Sequence, residues 1–242
     1  MSDQVTLFDL ANKKNVMWNP NVMKSHGVLN FKSIPYQTEW VEYPDLEAKL
    51  SALGVPPNGP EAFASYTCPA IRLPDGSYIM ESLPIANKLE TLYPSPSLLL
   101  ESGLHKEADK LSTAMIATAG PEFLVSIADE LLREPAGAWF RADRLKRFGA
   151  TLDDIEANMG GEKGWPAVEA LLVRIKTLLT SHKKDEGPFI LGSTPGYGDL
   201  ILAALFESLP RIHAGRAERI LKYDGSFGRV HEGCKAWLEK ED

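Results

Sequence analysis

The order of segments at the N-terminus constrains the fold more than any other feature of this chain. Val5 to Leu10 is a short apolar-rich run that suits a strand, Pro20 to Phe31 has helical character, and Gln37 to Tyr43 (QTEWVEY) is rich in strand formers. A helix-bearing connection of this length between neighbouring strands is a βαβ unit, which implies parallel pairing. The start of its helix is marked by Asn19-Pro20: Asn is a favoured N-cap and Pro fits the first helical position.

Asp45 to Leu53 reads as a short helix, broken by the GVPPNGP stretch. Ala70 to Leu73 and Ser77 to Met80 flank Pro74-Asp75-Gly76, whose Pro presets φ and whose Gly supplies positive φ, so they form an antiparallel hairpin. Ser82 then caps a helix running to about Tyr93, with Pro84 tolerated in its first turn. After the proline-punctuated YPSPS connector, from Leu104 onward, only helix-like stretches follow. The clearest places Val168, Leu171, Leu172, Ile175, Leu178 and Leu179 on one apolar face. The expected division is a small α/β domain over residues 1–93, a linker over 94–103 and an all-helical domain over 104–242.

Composition narrows the class. With 44% hydrophobic and 24% charged residues the chain is an ordinary globular one, and a formal charge of −7 offers no broad basic field for nucleic acid or anionic lipid. The start MSDQVTLFDL has no basic segment followed by a long apolar one, and no apolar run approaches the roughly 20 residues of a bilayer span, so a cytoplasmic protein without membrane partners is expected. Cys68 and Cys234 are too far apart for a CxxC pair and read as free thiols. His26, His105, His182, His213 and His231 show neither metal-ligand spacing nor a hydrolase triad, so no metal is expected.

Thr67-Cys68-Pro69-Ala70 leads into the hairpin and Glu81-Ser82 follows it at a helix start. With βαβ, then ββα, then a helical second half, this constellation resembles the cytosolic glutathione transferase family. WVEYPDLE, CPAI, ESLPIANKLETLYP and WFRADRLKRFG look most like the fungal etherase-related (FuA-like) transferases. The resemblance implies a thioredoxin-like domain joined to an all-α domain, glutathione as co-substrate and a homodimer. In GSTPGYGDLILAA, Gly196 stands where the family usually has a Ser or Thr cap, so Asp199 retains only half of a capping box.

The resemblance also assigns roles. A residue before a cis-proline presents backbone groups free of ladder pairing, so Cys68 with Pro69 would bind the cysteinyl part of glutathione. No His or second Cys lies nearby in sequence to activate the Cys68 thiol, so its backbone rather than its side chain is read as functional. Glu81 suits the γ-glutamyl ammonium, and Ser82 with the first helical N–H groups suits its α-carboxylate; the plain alternative is an ordinary helix cap.

A bound glutathione thiol needs a donor to favour the thiolate, which the family supplies from the first βα turn. That turn is Trp18-Asn19-Pro20-Asn21, with Asn19 where the FuA-like pattern has Ser. An amide can donate to a thiolate but cannot accept its proton at neutral pH. Asn19 and Asn21 are therefore the candidate catalytic residues. Trp18, Met115 and Phe123, with Trp139 and Phe140, are candidate walls for a small electrophile, each equally able to be core. Loss of the hydroxyl leaves room for conjugation, for double-bond isomerisation of a natural product in a biosynthetic step, or for a binding protein without turnover.

Overall fold

The structure is a computed structural model that describes residues 4–240. Strand β1 (Val5–Leu10) is buried along its whole length at the centre of a four-stranded sheet of order β2-β1-β3-β4. It pairs in parallel with β2 (Tyr36–Val41), from Val5↔Tyr36 to Leu10↔Val41, and antiparallel with β3 (Ala70–Arg72), which pairs antiparallel with β4 (Tyr78–Met80). The parallel pair follows from the intervening helix α1 (Pro20–Phe31), and the hairpin turns at Pro74-Asp75-Gly76, where Gly76 has φ +86°.

The second strand stops at Val41, short of the expected Tyr43. Tyr43–Asp45 forms a 3-10 turn containing Pro44, which has no N–H for a ladder, and α2 (Leu46–Ala52) follows. Helix α3 (Ser82–Leu92) completes the α/β half.

The helical half comprises α4 (Leu104–Ser126), α5 (Ala136–Phe148), α6 (Leu152–Met159), α7 (Gly161–Ser181), α8 (Tyr197–Leu221) and α9 (Gly225–Leu238), with a π-helical turn at Ile127–Leu131. Its α4 corrects one expectation: together with the π turn, Leu104–Leu131 is long and apolar enough to cross a membrane, at mean hydropathy 1.3. The run escapes a search for bulky apolar residues because it is rich in Ala, Gly, Ser and Thr. Here it packs chiefly against α8 and α7.

Helix α1 is enclosed by α3, α8 and α9, and all its residues from Val22 to Phe31 are buried. Gly27 permits the close approach, since a Cβ there would lie 3.2 Å from Leu238 and 3.6 Å from Leu200. Two buried lysines are paired here: Lys24 of α1 with Asp109 of α4 at 2.8 Å, and Lys32, the residue after α1, with Glu90 of α3 and the carbonyls of Tyr93 and Pro96. Lys32 thereby ties the end of α1 to the connector that leads into the helical half.

Asp199 forms the half capping box expected at the start of α8: its Oδ2 accepts from Gly196 N at 2.9 Å, and its Oδ1 accepts from Ile190 N at 2.7 Å. Burial pushes its carboxyl up to about 6, although both N–H groups oppose the shift.

Candidate active site

The ladder locates the site. Phe8 pairs with Ala70, so two steps further along β1 Leu10 lies opposite Cys68, and the carbonyl of Leu10 accepts the indole N–H of Trp18 at 3.1 Å. The turn before α1 and the turn before β3 therefore meet at one edge of the sheet. Helix α3 joins them there, because Glu81 N donates to the carbonyl of Pro69 at 3.0 Å.

Asn19 caps α1 as its position requires. Its Oδ1 accepts from the backbone N–H of Asn21 at 2.9 Å and of Val22 at 3.3 Å. Those two bonds also set the amide orientation: with Oδ1 turned into the helix, Nδ2 is left as the group facing away, and it can only donate. Half-buried Asn21 makes no side-chain hydrogen bond with the described residues. Asn19 thus serves as cap and leaves a donor at the positive end of a helix.

The Cys68-Pro69 peptide is cis, and neither backbone polar group of Cys68 is taken up by the sheet or by a turn among the described residues. The Cys68 side chain is buried; burial first, then the nearby Asp9 and Glu81 carboxyls, pushes its thiol well above the ordinary range, where it is a poor nucleophile. Cys234 is also buried, and burial raises its thiol in the same way.

Ser82 differs from its expected role. It is the first residue of α3, and the cap position is occupied by Glu81, whose backbone takes φ +76° as the chain turns off β4. Such a backbone costs a non-glycine residue of order 1–3 kcal/mol and is retained where surrounding structure over-determines it. The reason is visible at the side chain: Glu81 Oε1 accepts from Asn58 Nδ2 at 3.0 Å and from the Thr67 hydroxyl. Asn58 also donates to the carbonyl of Ala64, and its own N–H donates to the carbonyl of Ser65. One carboxylate oxygen is thus fixed, while Oε2 makes no hydrogen bond with the described residues. A carboxylate aimed this way beside the first N–H groups of α3 presents acceptor and donors to a single amino-acid end.

Behind the edge lies Asp9, fully buried, with Oδ1 accepting from Leu10 N at 2.6 Å and Oδ2 without a partner. Burial drives its carboxyl up to about 8, although the Leu10 N–H and the Arg211 charge pull the other way.

Trp18 is buried, and its ring centroid lies 6.4 Å from that of Tyr43. Tyr43 in turn stacks on Trp139 at 5.8 Å and meets Phe140 edge-on at 5.4 Å, while the guanidinium of Arg144 lies 4.2 Å from the Phe140 centroid and 5.3 Å from that of Phe63. This aromatic layer joins the α/β half to α5. Phe63 is 60% exposed at its margin. Met115 and Phe123 of α4, by contrast, are packed in the core at 0% and 2% exposure and meet no open surface in this conformation. No group of three His, Cys, Asp or Glu side chains placed to hold a metal occurs among the described residues.

Family models for the glutathione S-transferase N-terminal domain and C-terminal domain match residues 18–92 and 108–237. The chain belongs to the glutathione S-transferase family. Among relatives of this family member, the glutathione S-transferase-like protein ustS of Aspergillus flavus is 30% identical over 239 residues, covering 92% of this chain and 85% of the relative. Glutathione transferase GSTFuA3 of Phanerochaete chrysosporium superimposes with a TM-score of 0.86 at 29% identity, covering 99% of this chain and 98% of that one. A glutathione S-transferase of Ceriporiopsis subvermispora, solved in complex with glutathione, gives a TM-score of 0.86 at 26% identity and covers 99% of each chain. The architecture expected of the glutathione transferases, a thioredoxin-like domain joined to an all-α domain, is the one observed.

In this transferase-family chain nothing in the sequence assigns a role to Asn58, or more to Thr67 than a place before Cys68-Pro69, although both position Glu81. An Asn between proline and glycine (Pro57-Asn58-Gly59) was the available signal, since a turn-forming side chain often bonds to the local backbone.

Proposed function

We propose that this protein is a glutathione-dependent transferase that binds glutathione along the sheet edge and stabilises its thiolate at Asn19. The reading is carried by the Asn19 cap, which commits Oδ1 to α1 and leaves Nδ2 as a fixed donor. In this reading the γ-glutamyl ammonium lies on Glu81, its carboxylate on the first N–H groups of α3 with Ser82, and the cysteinyl backbone on the unpaired groups of Cys68 before Pro69. The glutathione-bound relative supports glutathione as the co-substrate.

The chemistry follows from what Asn19 lacks. It offers no base, so the thiol proton leaves to solvent and the thiolate is held by the Nδ2 donor, by Asn21 and by the positive end of α1. The sulfur then attacks a small electrophile, forming a C–S bond. Departure of a leaving group completes conjugation; expulsion of the thiolate after addition gives isomerisation, a step suited to a natural-product pathway. The electrophile would rest against the aromatic layer of Trp18, Tyr43 and Trp139. A cytoplasmic homodimer, divided at the linker over residues 94–103, completes the proposal.

Retention on immobilised glutathione, followed by titration of the bound thiol through its ultraviolet absorbance, tests it. The expected result is retention with a thiol midpoint below that of free glutathione; absence of both sinks the proposal. A binding protein without turnover is the second reading, favoured by Asn19 standing where the FuA-like pattern has a hydroxyl. It falls if Asn19→Ala lowers a measurable turnover of any electrophile.

A further inference from the structure

Helix α8 passes under the connector between β1 and α1 and is interrupted there. Pro210 lacks an N–H, and His213 leaves helical backbone at φ −158° and ψ 102°. Between them Arg211 reaches into the α/β half: one arm of its fork, Nη1, donates to the carbonyl of Met17 at 2.9 Å, and Nε donates to Glu207 Oε1 at 2.7 Å.

The clamp is itself held. Glu207 is 9% exposed, and its second oxygen meets His231 Nε2 of α9 at 2.5 Å. Burial would raise the Glu207 carboxyl, but the hydrogen bonds from His231 and Arg211 outweigh it and keep it below its ordinary range. The guanidinium is therefore fixed by a partner that stays ionised. It also projects a field into the sheet edge, where buried Asp9 feels it.

We infer that Arg211 is a positioning residue for thiol activation: by holding the Met17 carbonyl two residues before Asn19, it sets the Asn19 amide relative to the sulfur and adds positive potential beneath the thiolate. Asp9, Glu207 and His231 are the other titratable groups in contact with this guanidinium or its field. The inference rests on the transferase reading, and it adds a contribution from the helical half that the first βα turn alone does not supply. Lysine is a poor replacement, because a single ammonium cannot reproduce the fork that spans Glu207 and Met17.

The test uses full-length Arg211→Gln and Arg211→Lys, with Glu207→Gln as a second route that keeps the acceptor and removes its charge. Glutathione is the probe. Arg211→Gln is expected to keep glutathione affinity within about twofold while kcat falls about tenfold, as small misplacements of a reacting group do. The midpoint of the bound thiol rises by about one pH unit, the equivalent of that loss, with partial recovery in Arg211→Lys. A change in the Asn19 side-chain amide resonances in the ligand-free protein is expected as well. If Arg211→Gln fails to fold, Arg211→Lys carries the same test and is expected to show a smaller rise; Glu207→Gln, which leaves the guanidinium charge less neutralised, is expected to move the midpoint slightly the other way.

Unchanged kcat and thiol midpoint in variants that merely melt earlier overturn the inference, as does a loss of affinity that fully accounts for the loss of turnover. If the wild type shows neither retention nor a depressed thiol, the transferase reading falls and takes this inference with it. If the wild type shows both while the variants match it, only this inference falls.

Discussion

The two ends of the proposed glutathione site are built in opposite ways. At the glutamyl end, Glu81 is fixed by Asn58 and Thr67, which lie 23 and 14 positions away within the α/β half. At the sulfur end, the connector before Asn19 is fixed by distant residues of the helical half. Lys13 donates its N–H to the carbonyl of Leu131 and its ammonium to that of Asp129, Arg133 donates to the carbonyl of Asn12 and to Asn15 Oδ1, and Arg211 reaches Met17 across 194 positions. The difference teaches that the glutamyl end of the proposed site is framed locally, whereas the frame of its sulfur end depends on how the two halves dock.

Substitutions at the two ends should therefore move different quantities. The largest effect is expected for Asn19→Asp, since Asp caps a helix as well as Asn but places a negative charge where the thiolate forms. Stability stays near the wild-type value while kcat falls by about 10²-fold, typical of losing a donor to a developing anion; steady-state kinetics and a melt read the two separately. Glu81→Gln keeps the acceptor for Asn58 and Thr67 but removes the charge that meets the ligand ammonium. It should weaken glutathione binding about tenfold, or about 1.5 kcal/mol, by calorimetry, with kcat largely kept. Equal effects of both changes on kcat would break the comparison.

Asp9 sharpens it through pH. Its folded carboxyl is raised to about 8 from an ordinary 3.8, so the folded state retains a proton that the unfolded chain releases. Its contribution is fullest below about 4, is lost as pH rises toward 8, and is constant above. Asp9→Asn should remove that decline, so that in urea unfolding wild-type stability falls between about pH 4 and 8 while the variant's stays flat. The smallest effect is expected for Arg133→Met, a partly exposed clamp on the connector, at about 0.5 kcal/mol or less in the same assay and with glutathione affinity unchanged.

What could be read in the sequence follows the same divide. Helix α1 was legible to its last residue because Asn19-Pro20 marks its start, and the hairpin because Pro74-Asp75-Gly76 marks its turn. Cys68-Pro69 and Glu81 were singled out by resemblance to the glutathione transferases rather than by a local pattern, since the residues that hold Glu81 lie 23 and 14 positions away. Ser82 was misplaced by one helical position, since an N-cap in an uncommon backbone region carries no compositional mark when the residue is Glu. Arg211 was not legible: Pro210 beside it signals an interruption of α8, but nothing in the chain marks that the guanidinium meets Met17, 194 positions away.

The bond between Lys13 N and the carbonyl of Leu131, at 3.0 Å, has a consequence for how such chains can recombine. A chimaera joining this sheet to a relative's helices would carry over the glutamyl recognition intact, because those parts travel together. It would receive a foreign frame for the loop that presents Asn19, so its thiol reactivity would change with the donor of the helices. If the proposed site holds, the inheritance of binding and the inheritance of reactivity are separable in this chain.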